Sequence, residues 1–208
     1  MSKSLSRIKN WYRFLSPKWQ TVHLDYPVDF KPRFLAELER AHGPLEKILS
    51  QRSDVISAEV NQILQFVDDL KAIRKRDEET NALKPGWNNG FLPGLDMAAL
   101  FSIVATRKPK RYLEVGSGNS TLVAAAAKAQ HSPQTEIISI DPFPRADIDQ
   151  ISQTIIRSPF ESVDQSLALS LEAGDILFID NSHRVLPNSD ATVVFLEWFP
   201  LLKPGVIV

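Results

Sequence analysis

The stretch Arg111-Tyr112-Leu113-Glu114-Val115-Gly116-Ser117-Gly118-Asn119-Ser120-Thr121-Leu122 constrains the fold of this chain more than any other. Tyr112, Leu113 and Val115 read as a short buried strand, and Gly116 and Gly118 punctuate its end. Thr121 to Gln130 reads as a helix with four successive alanines at its centre. Strand, glycine turn and helix in that order open a nucleotide-binding βαβ unit. Neither glycine carries a Cβ, so the backbone there admits close approach by a ligand. The helix start adds unpaired N–H groups and the positive end of a dipole.

Two details bear on the ligand. Glu114 stands two residues before Gly116, and Thr121 occupies the place of the third glycine in a G-x-G-x-x-G pattern. A dinucleotide pyrophosphate is repelled by a carboxylate, whereas a ligand bearing an ammonium and a sulfonium is attracted by one. Two unit charges ~4 Å apart interact by roughly 4 kcal/mol at an effective dielectric of ~20. A ligand-facing Glu114 therefore favours a cationic cofactor. The structural alternative is a glutamate that caps nearby backbone or pairs with Lys110 or Arg111.

The chain has 208 residues, 43% hydrophobic and 24% charged, with a net charge of −1. That profile suits a globular protein with its own core, and the near-neutral balance excludes nucleic acid as an electrostatic partner. The sequence has no cysteine, which removes disulfides, thiolate nucleophiles and zinc–thiolate sites together. No apolar run reaches the ~18 residues of a spanning helix. Both features fit a cytoplasmic protein.

From the amino terminus, Leu5, Ile8, Tyr12, Leu15 and Trp19 recur at helical spacing among Lys3, Arg7, Lys9, Arg13 and Lys18, with no acid between them. Such a helix docks on the body of the protein, on a second copy, or on an anionic surface. Residues 21–31 read as an extended linker, residues 34–41 as a short helix ended by Gly43-Pro44, and Leu45 to Leu49 as another turn or two. Ser53 begins a longer helix with the stripe Ile56, Val60, Ile63, Val67 and Leu70. His23 and His42 fall in loops. This helical region is assigned to residues 1–80, with a border near Asn81.

Beyond it, Trp87, Asn89 and Phe91 stand in a loop of aromatics, amides and glycines that reads as a connector or as a wall facing a ligand. Asp96 is placed as the cap of the next helix. Glu136 to Asp141 reads as a second strand, and Asp141 follows Gly116 by 25 residues, a spacing that suits an acid bonding the ribose of an adenosine. Asp147 to Gln153 reads as a short helix, Thr154 to Arg157 as a third strand, and Phe160 beyond it as an aromatic for an adenine ring or for the core. Glu161 to Leu171 reads as helical. Asp175 to Asp180 is a strongly apolar fourth strand ending in Asp180, Asn181, Ser182 and His183. Asp190 is placed as the cap of another helix, and Val206-Ile207-Val208 as a fifth strand. Near-continuous apolar strands flanked by helices predict a Rossmann-like, doubly wound, mostly parallel α/β sheet with a helical amino-terminal extension. Ligands of such sheets bind outside the carboxyl ends of the strands.

The segments Leu113-Glu114-Val115-Gly116-Ser117-Gly118-Asn119-Ser120, Ile138 to Asp141, Asp175 to His183 and Leu202 to Val208, in this order, resemble a class I S-adenosylmethionine-dependent methyltransferase. The likeness is to the type 24 group of that superfamily and spans about the last hundred residues, within a domain assigned to residues 81–208. It implies S-adenosylmethionine as cofactor and a small-molecule acceptor, methylated on oxygen. It implies that Glu114, Gly116, Ser117, Gly118 and Ser120 hold the methionine part, Asp141 the ribose, and Phe160 the adenine. Asp180 and His183 would face the methyl group and the acceptor, with His183 as base, and Trp87, Asn89 and Phe91 would approach the acceptor. No metal site is implied. Members of the superfamily carry further strands after the fifth, so a sheet ending at Val208 is expected to be a fragment or to be completed by a partner. A nicotinamide-dependent oxidoreductase and a non-catalytic interaction module are the alternatives.

Overall fold

The computed structural model describes residues 3–17, 27, 42–144 and 146–208. The predicted linker over residues 21–31, apart from Pro27, the helix over 34–41, His23 and Trp19 lie outside the described residues, as does the side chain of Leu5. The chain forms two compact units, Met1–Arg52 and Ser53–Val208.

In the first unit, α1 spans Lys3–Leu15 and α2 spans Gly43–Ser50. Gly43-Pro44 opens α2. Proline suits a first turn because its missing N–H would have no partner there. His42 caps the helix, its Nδ1 accepting from the Leu45 N–H at 3.4 Å.

The second unit begins with α3, Ser53–Ile63, followed by a 3₁₀ turn at Leu64–Phe66 and by α4, Val67–Ala72. Then come α5 (Gly94–Arg107), β1 (Arg111–Val115), α6 (Asn119–His131), β2 (Glu136–Ile140), β3 (Thr154–Ile156), α7 (Ser166–Ser170), β4 (Ile176–Ile179) and α8 (Asp190–Val193). The α8 helix continues through one π turn at Val194–Trp198 and a 3₁₀ turn at Phe199–Leu201. The four strands form a parallel sheet in the order β3-β2-β1-β4. Leu113 of β1 is level with Ile138 of β2 and Leu177 of β4. This is the predicted doubly wound α/β class. The unit starts at Ser53, ahead of the border expected at Asn81, because Ile63, Phe66 and Leu70 pack with Phe101 and its neighbours on α5.

Both faces of the sheet are covered. On one, Tyr112, Ile137 and Ile176 meet Met97, Phe101 and Val104 of α5 and Val123, Ala124 and Ala127 of α6. On the other, Leu113, Val115, Ile138, Ile140 and Leu177 meet Phe160, Leu171, Val194 and Trp198. Successive strand residues point to opposite faces. Glu114 therefore shares the face of Tyr112, toward α6.

Several short elements differ from the sequence reading. Pro93 is the N-cap of α5, and Asp96 lies in its first turn, where the helix dipole favours a carboxylate. Ser189 caps α8, accepting from the Thr192 N–H, and Asp190 is the first helical residue. Asp147 to Gln153 makes only a turn, with the Ile148 carbonyl accepting from Ile151 and Ser152. Ile148 is buried and Gln153 is bonded to Ile137, which leaves too few residues to repay the entropy of helix nucleation. Residues 161–171 break into a 3₁₀ turn at Phe160–Ser162 and α7, whose N-cap is Gln165, with Asp164 accepting from the Ser166 N–H at 2.7 Å. The fifth strand is a single parallel bridge between Ile207 and Ile176, with Leu177 N–H donating to the Ile207 carbonyl at 2.8 Å.

Candidate active site

The carboxyl ends of β1, β2 and β4 converge, and the glycine turn after β1 lies between the other two. Gly116 N–H donates to the Ile140 carbonyl at 2.9 Å, and Asp180 N–H donates to the Val115 carbonyl at 2.9 Å. Gly116 has φ +81°, and a Cβ added there would stand 2.0 Å from the carbonyl oxygen of Asp180. The glycine is thus required by the neighbouring strand end. The sequence reading credited it to a ligand.

Asp141 closes the turn from the β2 side. Its Oδ2 accepts from the N–H of Ser117 at 2.7 Å and from its hydroxyl at 3.1 Å, while Oδ1 accepts from Phe143 N–H at 2.7 Å. Above these groups opens a cleft of about 330 Å³ lined by Gly116, Ser117, Asp141, Pro142, Phe143, Phe160, Glu161, Asp180, Asn181, Ser182 and Asp190 together with Val115, Ile140 and Pro159. Among the described residues of this lining four are acids, Asp141, Glu161, Asp180 and Asp190, and none is Lys, Arg or His. Glu161 and Asp190 were not anticipated as site residues. Asp190 accepts from the N–H and hydroxyl of Ser182 at 2.8 and 2.5 Å, so it clasps the loop after β4 against the start of α8, a pairing that sequence distance conceals. Phe160 is buried against Trp198 at a ring separation of 4.5 Å and also lines the cleft.

Glu114 is placed differently from its expected position beside the ligand. It is fully buried and lies outside the cleft lining. Four hydroxyls surround it: Thr121 and Ser139 donate to Oε1 at 2.5 and 2.6 Å, and Ser120 and Tyr112 to Oε2 at 3.0 and 3.4 Å. Burial pushes its pKa up to about 7, against the opposing pull of those hydrogen bonds. Burial, followed by the charge of Glu114, holds the Tyr112 phenol well above its ordinary value. Thr121 also accepts from the Gly118 N–H at 2.9 Å. The residue at the third-glycine position thus ties the turn to the buried acid, and Ser120 directs its hydroxyl to Glu114, away from the cleft. Gly118 shapes the turn and is likewise absent from the cleft lining.

On the far side of Asp180 lies a second cleft of about 540 Å³, lined by Phe91, Leu92, Pro93, Asp96, Leu100, Ile103, Phe178, Asp180 and His183 among others. Asp180 belongs to both linings. His183 stands with its Nε2 at 3.2 Å from Asp180 Oδ1, and its backbone is left-handed at φ +57°. Of the three loop residues expected near the acceptor, only Phe91 lines this cleft. Asn89 staples its own loop, its amide nitrogen donating to the carbonyls of Gly86 and Leu92 and its oxygen accepting from Phe91 and Leu92. Trp87 packs against the core, its indole N–H donating to the Leu70 carbonyl at 3.2 Å. Among the described residues, no group of three or more His, Cys, Asp or Glu is arranged to hold a metal ion. None of their helices is long and apolar enough to cross a membrane.

Residues 113–208 match the model of a methyltransferase domain family. An uncharacterised protein of Archaeoglobus fulgidus is 33% identical over 91 residues, covering 41% of each chain. Among solved structures, a candidate protein-L-isoaspartate O-methyltransferase of Plasmodium falciparum, in complex with S-adenosyl-L-homocysteine, is 14% identical, with a TM-score of 0.34 over 53% of this chain and 56% of that one. The chain thus spans well under two thirds of the length of either relative.

Proposed function

We propose, with residues 113–208 as a methyltransferase domain of the class I S-adenosylmethionine-dependent superfamily, that this chain binds S-adenosylmethionine in the first cleft and methylates a small molecule on oxygen in the second. The observation that carries this reading is Asp180, a single residue common to the walls of both clefts. The charge of the first cleft supports it: its described lining residues carry four carboxylates and no cationic side chain, which suits a sulfonium and an ammonium and opposes a pyrophosphate.

When bound, the cofactor supplies a methyl group on a sulfonium, which is a good leaving group. The chain's own task is then alignment, and orientation alone contributes roughly 7–11 kcal/mol in well-held reactions. Asp141 would accept from the ribose hydroxyls with the lone pairs that Ser117 and Phe143 leave open. Phe160 would lie against the adenine, and Ser117 with Gly116 would hold the methionine part. Glu114 acts one step back, bracing the turn from beneath. On the acceptor side, Phe91, Leu92 and Pro93 offer an apolar wall. With Nε2–H directed at Asp180, the neutral imidazole of His183 presents Nδ1 as its basic nitrogen, the site that would receive the acceptor's hydroxyl proton. A general base typically contributes ~10²–10⁴-fold.

Titration calorimetry with S-adenosylmethionine and S-adenosylhomocysteine tests the reading. Saturable heat is expected for both. Hydrogen bonds to a charged group contribute about 1.5–3 kcal/mol, so Asp141→Ala should weaken binding ~10–100-fold. His183→Gln should lower turnover ~10²-fold or more while leaving cofactor affinity unchanged. A chain that is folded by circular dichroism yet gives no heat with either compound sinks the proposal.

A further inference from the structure

We propose that α1 is an interfacial anchor that lays the protein on an anionic lipid surface. Ile8, Trp11, Tyr12 and Leu15 fall on one stripe of this helix and are between 65% and 70% exposed. At 3.6 residues per turn, Arg7 and Lys9 border that stripe by position, one on each side. The charge distribution of the whole chain is lopsided in the same sense. The first 24 residues hold five basic residues, Lys3, Arg7, Lys9, Arg13 and Lys18, and no acid, leaving 19 basic against 25 acidic residues in the rest, a net of −6. An anionic surface therefore repels the remainder of the chain and attracts this end of it.

The arrangement suits a plane better than a protein groove. A groove encloses an apolar stripe and leaves the flanks to water. A bilayer surface meets the stripe and both flanks together, apolar side chains in the acyl boundary and cations among the headgroup phosphates. Trp11 and Tyr12 place amphipathic rings at the level where such rings concentrate in membrane interfaces. Each basic residue near a charged leaflet contributes about 1 kcal/mol, or roughly fivefold in partitioning. The attachment is peripheral and reversible, because α1 spans only 13 residues.

The test is flotation of the full chain with vesicles of 70% phosphatidylcholine and 30% phosphatidylglycerol, against vesicles of phosphatidylcholine alone. Binding is expected on the charged vesicles and at most weakly on the neutral ones. It should largely disappear in 1 M salt, where the screening length falls to about 3 Å. The double variant Arg7→Glu with Lys9→Glu should bind at least about 25-fold more weakly, at two fivefold steps, and Trp11→Ser with Ile8→Ser should also lose binding. Both variants should keep the thermal transition of the Ser53–Val208 unit. No binding to either vesicle, or equal binding to both, overturns the proposal. So does an α1-dependent oligomer by light scattering without lipid uptake, which would assign the stripe to a second copy of the chain.

Discussion

Glu114 shows how far a single residue can differ from its motif. Its place in the sequence pointed at a ligand, but strand alternation put it on the Tyr112 face, beneath the start of α6. That alternation was visible in Tyr112-Leu113-Glu114-Val115, had it been followed through the acid. The burial has a pH consequence. The folded-state pKa, about 7, lies above the ordinary 4.5, so the native protein holds this proton longer than the unfolded chain does. The contribution is complete below pH 4.5 and is lost as pH rises toward 7. In denaturant titrations, Glu114→Gln should gain on the wild type by roughly 3 kcal/mol between about pH 4 and pH 8. Parallel stability curves would mean that Glu114 has the same pKa in the folded and unfolded chain. Asp141, Phe160 and Asp180 did reach the cleft, because each ends a strand or follows one closely and the strands were legible. Asn89 and Trp87 did not, because amide and indole hydrogen bonds inside a loop have no sequence period.

At the scale of elements, the central pieces were readable for a physical reason. Five-residue apolar strands and a 13-residue helix repeat their pattern often enough to be seen. One-turn segments such as residues 147–153 and 160–162 are decided by individual hydrogen bonds. The junction of β1 with α6 is the element most tightly specified by side chains. Thr121 there accepts from Gly118 N–H and donates to Glu114. Thr121→Val keeps the volume and removes both bonds, so it should cost about 1–3 kcal/mol, the usual range for stranding buried polar partners. Thr121→Ser should recover most of that loss in the same thermal or denaturant titration.

For the whole molecule, α3 and α4 belong to the unit that holds the sheet. The Phe66 ring lies 6.0 Å from that of Phe101 and 5.1 Å from that of His131, and His131 Nε2 is 2.9 Å from Asp69 Oδ2. Phe66, partly buried, should on truncation to Ala therefore destabilise the sheet itself by ~1–3 kcal/mol, with near- and far-ultraviolet dichroism lost together. Separate transitions would show the helices to be an independent layer. The contact between Gly116 and the Asp180 carbonyl has a consequence for how such a protein diversifies. Two strand ends that leave no room even for a methyl group cannot shift independently, so the two clefts share one backbone joint. Change in either cleft must then come from the loops at residues 88–93 and 181–189, while the strand ends stay as they are.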